Sequence, residues 1–292
     1  MKVSGFTFIK DAITYDYPVV ESISSILPLV DEMIIAVGKS GDETLSLIRS
    51  INSTKIRVIE TVWNESLREG GRVLALETDK AYSAVSEDSD WAFYIQADEV
   101  VHEKYYSAIR SAMEKYKDDT TVDGLLFDYV HFYGSFDYVG ASGMWYNKEI
   151  RIVRKRKDIF SYRDAQGFRK GNNEKLAVKQ IHASIYHYGW VKPPAAMQRK
   201  QENFHKYWHN DSWIDENVAK ASEFSYVEHM QELKKFTGSH PEVMRDRISQ
   251  KNWKFDIDIS MKKRSFKDTL KAFLRIFGID STYRNYILKK NK

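Results

Sequence analysis

"DWAFYIQADEVVHE", residues 90–103, decides the fold. Trp91, Phe93 and Ile95 alternate in the manner of a strand driven into a core, and the run then ends on two carboxylates, Asp98 and Glu99. One reading is a helix start, an acid near the N-terminus of a helix around Tyr105–Tyr116, favoured by the helix dipole. The other is an acidic metal ligand at the carboxyl end of a parallel strand, the place where open α/β sheets bind ligands.

Working outward, strand-like and helix-like segments alternate. "VSGFTFI" (3–9) reads as a strand, and residues 17–30 place Val20, Ile23, Ile26/Leu27 and Val30 at helical spacing behind Pro18. "EMIIAV" (32–37), the turn "GKSGDET" (38–44), a short helix to about residue 51 and the strand "KIRVIETV" (55–62) follow. Helices are expected over 71–85 and 103–116, and "GLLFDYVHFY" (124–133) returns to strand. Repeated β-α units of this length imply an α/β fold, a mostly parallel sheet covered by helices on both faces. Beyond residue 134 two further strands, "EIRIVRK" (149–155) and "KQIHASIYHY" (179–188), flank a polar, Gly/Asn-rich stretch over 161–176. After "KPPAA" (192–196) residues 197–235 are helical in character. The expected organisation is an α/β domain over 1–195, a helical extension over 196–260 and a basic tail over 261–292.

Composition narrows the function classes. With no cysteine, disulfides and thiolate metal sites are excluded, in keeping with a reducing compartment. No run approaches the roughly 18–20 apolar residues that span a bilayer, and the first residues lack the pattern of a signal peptide. A cytoplasmic location is the expectation. The net charge of +4 is uneven: residues 261–292 carry ten Lys/Arg against two Asp, so the body is mildly acidic. That distribution argues against a nucleic-acid partner. In the tail Phe266, Leu270, Phe273/Leu274 and Phe277 form an apolar stripe opposite Lys267, Lys271 and Arg275. Such a helix either lies peripherally on an anionic membrane, at its inner face, or packs on the body.

Three stretches taken in order, "FTFIKDA" (6–12), "VDEMIIAVGKSGDET" (30–44) and "DWAFYIQADEV" (90–100), resemble the nucleotide-binding half of family 2 glycosyltransferases with the GT-A fold. The resemblance covers about residues 3–100, and "IYHYGW" (185–190) is similar to a later His-Tyr segment of the same group. It implies a GT-A-like, Rossmann-like central sheet. The implied activity moves a sugar from a nucleotide-diphosphate sugar to a hydroxyl of a saccharide or lipid-linked acceptor, with inversion, in bacterial polysaccharide or lipopolysaccharide assembly. Breaking the donor's glycosidic bond develops negative charge on the diphosphate, which a divalent cation stabilises as a Lewis acid. Oxygen ligands suit Mg²⁺ or Mn²⁺, and an imidazole tilts the choice toward Mn²⁺. The matching residues are Asp98 and His187. One departure stands out: the family's Asp-Ala-Asp is Gln96-Ala97-Asp98 here, and Gln96 can hydrogen-bond a ribose but brings no charge.

The same resemblance places Phe8, Ile9 and Asp11 in the nucleoside pocket, and gives Asp42 a contact to base or ribose. For Asp42 the alternative is an ordinary turn with an N-capping Asp. Arg72 is a candidate for nucleotide or phosphate. Inverting transfer needs a general base for the acceptor hydroxyl, and the loop over 161–176 offers Asp164 first and Glu174 second. Asp128, His131 and Arg151 are candidates for the acceptor side, where the aromatics Phe132, Tyr133, Phe136, Tyr138, Trp145, Tyr146 and Trp190 either stack on sugar or fill core. His182 and His187, an odd number of residues apart on one strand, should face opposite ways. His205 and His209 lack the intervening acid of a metalloprotease helix and read as a packed or solvated pair. Two alternatives remain: a catalytically silent relative that binds glycan or scaffolds an assembly, and a nucleotidyltransferase. The latter needs a basic phosphate loop after the first strand, which "KDAITYDYP" (10–18) does not clearly supply.

Overall fold

The computed structural model describes residues 1–142, 145–218, 221–230, 232–258 and 284–290. The apolar stripe expected over 266–277 therefore lies outside the described residues.

The first half builds strands β1 (Val3–Ile9), β2 (Glu32–Gly38), β3 (Ile56–Thr61), β4 (Trp91–Tyr94), β5 (Glu99–Val101) and β6 (Gly124–Tyr133). Between them lie helices α1 (Val19–Ile26), α2 (Thr44–Arg49), α3 (Arg72–Ser83) and α4 (Tyr106–Tyr116). The second half adds β7 (Ser135–Gly140), β8 (Lys148–Arg154), β9 (Ile159–Tyr162), β10 (Gly167–Lys170) and the long β11 (Glu174–Trp190). Helices α5 (Pro194–Phe204), α6 (Asp211–Asn217) and α7 (Arg245–Ser249) and short strands β12 (Leu233–Lys235) and β13 (Tyr286–Leu288) complete it.

One sheet runs β3-β2-β1-β4-β8-β6-β11-β10-β9. β3, β2, β1 and β4 are mutually parallel. β8 is antiparallel to both its neighbours, and β6 and β11 are parallel again. The expected α/β architecture, a mostly parallel sheet flanked by helices, is present. Both faces are covered, which is why the strands read as nearly unbroken apolar runs. Trp91, Phe93 and Ile95 pack on one face with Ile23 and Ile26 of α1 and Ile109 and Met113 of α4. Ala92 and Tyr94 pack on the other with Val73, Leu74 and Tyr82 of α3. Burying each large apolar side chain contributes about 1.5–3 kcal/mol.

The chain leaves β1 for β2 and β3 on one side, and later returns on the other side as β4. The crevice beyond the carboxyl ends of β1 and β4 is thus a topological switch point, where such sheets bind ligands.

Two expectations change. The polar stretch over 161–176 is a β-meander, β9 to β10 to β11, with turn residues Arg163, Ala165, Asn173 and Gly171 at positive φ. Its polarity belongs to its turns. The region over 197–235 is helical only in α5, α6 and a short turn between them, and it then gives β12 on the edge of β7. Nor does it stand apart: Tyr226, Met230 and Leu233 share a buried cluster with Tyr133 and Tyr138. Among the described residues no helix is long and apolar enough to cross a membrane.

Candidate functional site

The switch-point crevice opens into a cavity of about 480 Å³. The end of β1 supplies Phe8, Ile9 and Lys10, the segment after β4 supplies Gln96, Ala97 and Asp98, and α5 with the turn beyond it supplies Lys200, Asn203, Phe204 and Tyr207. Tyr15, Tyr17, Trp63, Tyr146 and Trp190 add aromatic wall, and Asp164, Gln166 and His187 close the far side.

Asp98 answers the question of the opening stretch. It is not at a helix start. After β4 the chain turns at Gln96–Asp98 and re-enters the sheet as β5, antiparallel to β11, while α4 begins only at Tyr106 behind a short turn capped by His102. Asp98 is buried, and its backbone carbonyl accepts from Tyr188 N–H at 2.8 Å. Lys200 Nζ donates to Asp98 Oδ2 at 3.2 Å and to the Gly189 carbonyl at 3.0 Å. Burial pushes the Asp98 carboxyl up, but the Lys200 ammonium beside it prevails and holds it well below the usual carboxylate range.

His187 Nε2 lies 3.7 Å from Asp98 Oδ1. The two expected ligands therefore meet. Burial brings His187 down to about 4 and His131 down to about 2, so both imidazoles are neutral at pH 7. Their tautomers follow from the hydrogen bonds. His131 Nε2 must donate to the Tyr146 carbonyl at 2.8 Å, which leaves His131 Nδ1 to accept from His187 Nδ1 at 3.1 Å. His187 Nε2 then presents a lone pair toward Asp98. As expected, His182 faces out and His187 in. Gly189 makes the approach possible: a Cβ there would lie 2.6 Å from both Asp98 Oδ2 and His187 Nε2.

These residues fit a resident divalent ion poorly. The donor set is one carboxylate and one imidazole, and the other carboxylate oxygen already holds an ammonium. Among the described residues no group of three or more His, Asp or Glu is placed to hold a metal ion. An ion of charge +2 about 4 Å from Lys200 would be repelled by roughly 8 kcal/mol at an effective dielectric constant of 20. Gln96 does not lend its amide nitrogen: Nε2 donates to the Ala165 carbonyl at 3.1 Å and to Tyr94 Oη at 3.4 Å.

Asp164 lies in the cavity wall with Oδ1 buried and unpaired among the described residues. Burial raises its pKa above the usual carboxylate value. Its neighbours Arg163 (φ 55°) and Ala165 (φ 64°) are both left-handed, a strained backbone of the kind that persists at functional positions. Gly71 (φ 68°) lets the loop before α3 close on it, since a Cβ there would be 2.5 Å from Asp164 Cβ. Glu174, the second candidate, is exposed at the start of β11 and outside the cavity.

Of the nucleotide candidates, Phe8, Ile9, Gln96 and Asp98 line the cavity. Asp11 and Asp42 brace it from outside: Asp11 Oδ1 accepts from Gly41 N–H at 2.7 Å, and Asp42 Oδ2 accepts from Thr14 N–H and Oγ1 at 2.7 Å each. Asp42 Oδ1 also accepts from Thr44 N–H at 3.0 Å, a contact within the turn; the residue at the N-cap of α2 is Glu43. Arg72 is exposed at the start of α3, away from the lining.

The acceptor-side candidates separate. Asp128 pairs with Lys148 and with Gln180 Nε2 at 3.2 Å, outside the cavity. His131 sits behind His187. Arg151, expected at a ligand, is fully buried and grips Glu99 with two hydrogen bonds, Nε to Oε2 at 2.7 Å and Nη2 to Oε1 at 2.6 Å. That pair pins β5 against β8, one residue from Asp98. Of the aromatic excess only Tyr146 and Trp190 reach the cavity. Phe132 and Phe136 fill one core cluster, Tyr133 and Tyr138 another.

Sequence reasoning missed Lys200, Asn203 and Tyr207. Their spacing is that of one helical face, which is the signal that was available. It missed Trp63 as well, which packs against Phe8 at 5.7 Å and Tyr207 at 5.8 Å between ring centroids.

No family model matches the chain, and no curated protein sequence matches it. Solved structures do. S. aureus TarS 1–349 in complex with UDP is 12% identical, over 76% of this chain and 68% of that one, with a TM-score of 0.42. Glucosyl-3-phosphoglycerate synthase from Mycobacterium tuberculosis, in complex with Mg²⁺ and UDP, is 20% identical over 44% and 43%, at 0.29. The 4-diphosphocytidyl-2C-methyl-D-erythritol synthase of Anaerococcus prevotii is 13% identical over 53% and 71%, at 0.34. At these scores the likenesses carry no activity across to this chain.

Proposed function

We propose that the protein is a glycosyltransferase that moves a sugar from a nucleoside-diphosphate sugar to an acceptor hydroxyl with inversion. The observation that supports this best is the sharing of one aromatic-lined cavity, at the switch point, by the Asp98–Lys200 pair and the Asp164 carboxylate, whose Oδ1 is unpaired among the described residues. The nucleoside lies along Phe8, Ile9, Trp63 and Tyr207, with its diphosphate toward Asp98 and Lys200. The acceptor enters from the side of Asp164, Tyr146 and Trp190, aromatic faces that suit a sugar. Asp164 takes the proton of the attacking hydroxyl, and its raised pKa makes it a stronger base than a solvated carboxylate. The acceptor oxygen bonds to the anomeric carbon as the diphosphate oxygen leaves on the opposite face. The sequence resemblance adds the setting, bacterial surface-glycan assembly.

The test is release of nucleoside diphosphate from a panel of nucleotide sugars, with and without saccharide acceptors. Release that rises with one donor–acceptor pair and falls at least about 100-fold in Asp98→Ala supports the reading. Release by no pair favours a silent glycan-binding relative, and release of pyrophosphate from a nucleoside triphosphate favours a nucleotidyltransferase.

A further inference from the structure

We infer that the Lys200 ammonium does at this site what a divalent cation would otherwise do, binding the donor's diphosphate and stabilising it as it leaves. The inference rests on the transferase reading above.

Lys200 is on the second turn of α5 and reaches into the cavity with its side chain only 12% exposed. Two of its three N–H donors are spent, on Asp98 Oδ2 and the Gly189 carbonyl. No third partner stands among the described residues. The ammonium is thus held in position by the protein and keeps one donor for a ligand. Tyr17, whose ring centroid is 5.0 Å from Nζ, walls the other side. The carboxylates that would draw in a second cation are absent or engaged. Gln96 replaces one, and Glu99 is consumed by Arg151. Lys192, fully buried nearby, donates instead to the Tyr15 carbonyl at 2.6 Å, holding the loop after β1. Lys10, also in the lining, pairs with Glu65 Oε1 at 2.6 Å, so among the described residues Lys200 is the positive group beside Asp98 left to meet a diphosphate.

In the transfer step the bond from the anomeric carbon to the diphosphate oxygen breaks, with the electron pair going to that oxygen. The acceptor oxygen forms the new bond, and its proton passes to Asp164. Lys200 donates to the diphosphate oxygens as charge grows on them. A fixed, preorganised donor in a water-poor site acts in this way without reorganising.

The experiment is calorimetric titration of the full chain with UDP, ADP, GDP, CDP and dTDP, in EDTA and again with Mn²⁺. The expected result is that the best-bound nucleotide binds in EDTA within about 3-fold of its affinity with Mn²⁺. Lys200→Met should weaken it at least about 10-fold in EDTA, with Lys200→Arg recovering much of the loss through its retained charge. Circular dichroism melts confirm that each variant is folded; if Lys200→Met is not, the EDTA-against-Mn²⁺ comparison on the wild type decides alone. Binding that requires Mn²⁺, or that survives Lys200→Met unchanged, overturns the inference while leaving the transferase reading intact. Absence of binding by any nucleotide under both conditions overturns the transferase reading, and this inference with it.

Discussion

Gly189→Ala is a small change aimed at the centre of the site. An added methyl would lie 2.6 Å from Asp98 Oδ2 and from His187 Nε2, where ordinary contact needs about 3.5–4.0 Å. Neither atom is the loose end of a flexible chain. Asp98 is held through its backbone by Tyr188 and through Oδ2 by Lys200, and His187 is held through His131. The carboxylate and imidazole must therefore retreat by roughly 1 Å, or the backbone of β11 must shift by as much. Overpacking of this kind costs about 1–3 kcal/mol, which should lower the melting temperature by about 2–12 °C. A misplacement near 1 Å costs on the order of 100-fold in rate. The assay is paired: a thermal melt, and release of nucleoside diphosphate with the best donor and acceptor. Loss of turnover well beyond what the melt explains is the expected pattern. A variant with wild-type melting and turnover within about 3-fold would show that Asp98, His187 and Gly189 are not packed as described.

Three other perturbations separate the roles. Asp164→Asn should retain nucleotide affinity but lose about 100-fold or more in turnover, and the acid-side fall of the wild-type pH profile should disappear with it; weakened nucleotide binding would move Asp164 to the donor side. Arg151→Met strands the Glu99 carboxylate in the core and should cost about 3–5 kcal/mol, a drop on the order of 10 °C in melting temperature, most of it restored by adding Glu99→Gln; a melt within about 2 °C of wild type would refute the buried pair. Asp79, which accepts from Ser161 N–H at 2.7 Å, is raised by burial to about 6 from 3.8. The folded state therefore binds the extra proton, stability falls as pH rises from about 4 to 6, and the deficit at pH 7 is about 3 kcal/mol. Asp79→Asn should stabilise the protein at pH 7 and lose that advantage below pH 4; an equal effect at both would contradict the assignment.

What could be read from the sequence follows from distance along the chain. β1, β2 and β4 were legible because they are buried on both faces, which forces unbroken apolar runs over a few consecutive residues. The place of Asp98 in the crevice was legible because an acid directly after such a run stands at the carboxyl end of a strand. Contacts made at long range were not. Glu99 and Arg151 sit 52 residues apart, and neither carries a local sign of its partner. Arg151 on a strand reads as a surface residue until the opposing carboxylate is in place. Lys200 is 102 residues from Asp98, in a helix whose polar residues read as solvated. The meander over 161–176 was hidden because its turn residues outnumber its apolar ones. Asp42, Asp11 and Arg72 lie near the cavity in sequence logic, yet hydrogen bonding to the turn over 38–44 or exposure on α3 takes them out of its lining.

The central claim is that a nucleoside-diphosphate sugar lies in the crevice beyond β1 and β4. Amide hydrogen exchange of the full chain, with and without the best donor nucleotide at saturation, tests it most directly. The account predicts slowed exchange over residues 8–17, 96–98 and 196–207, with little change in the exposed turn over 171–175 or in α7. Slowed exchange confined to α7 and the groove that it forms with Trp253, or no change over 96–98 and 196–207 at saturation, would contradict it.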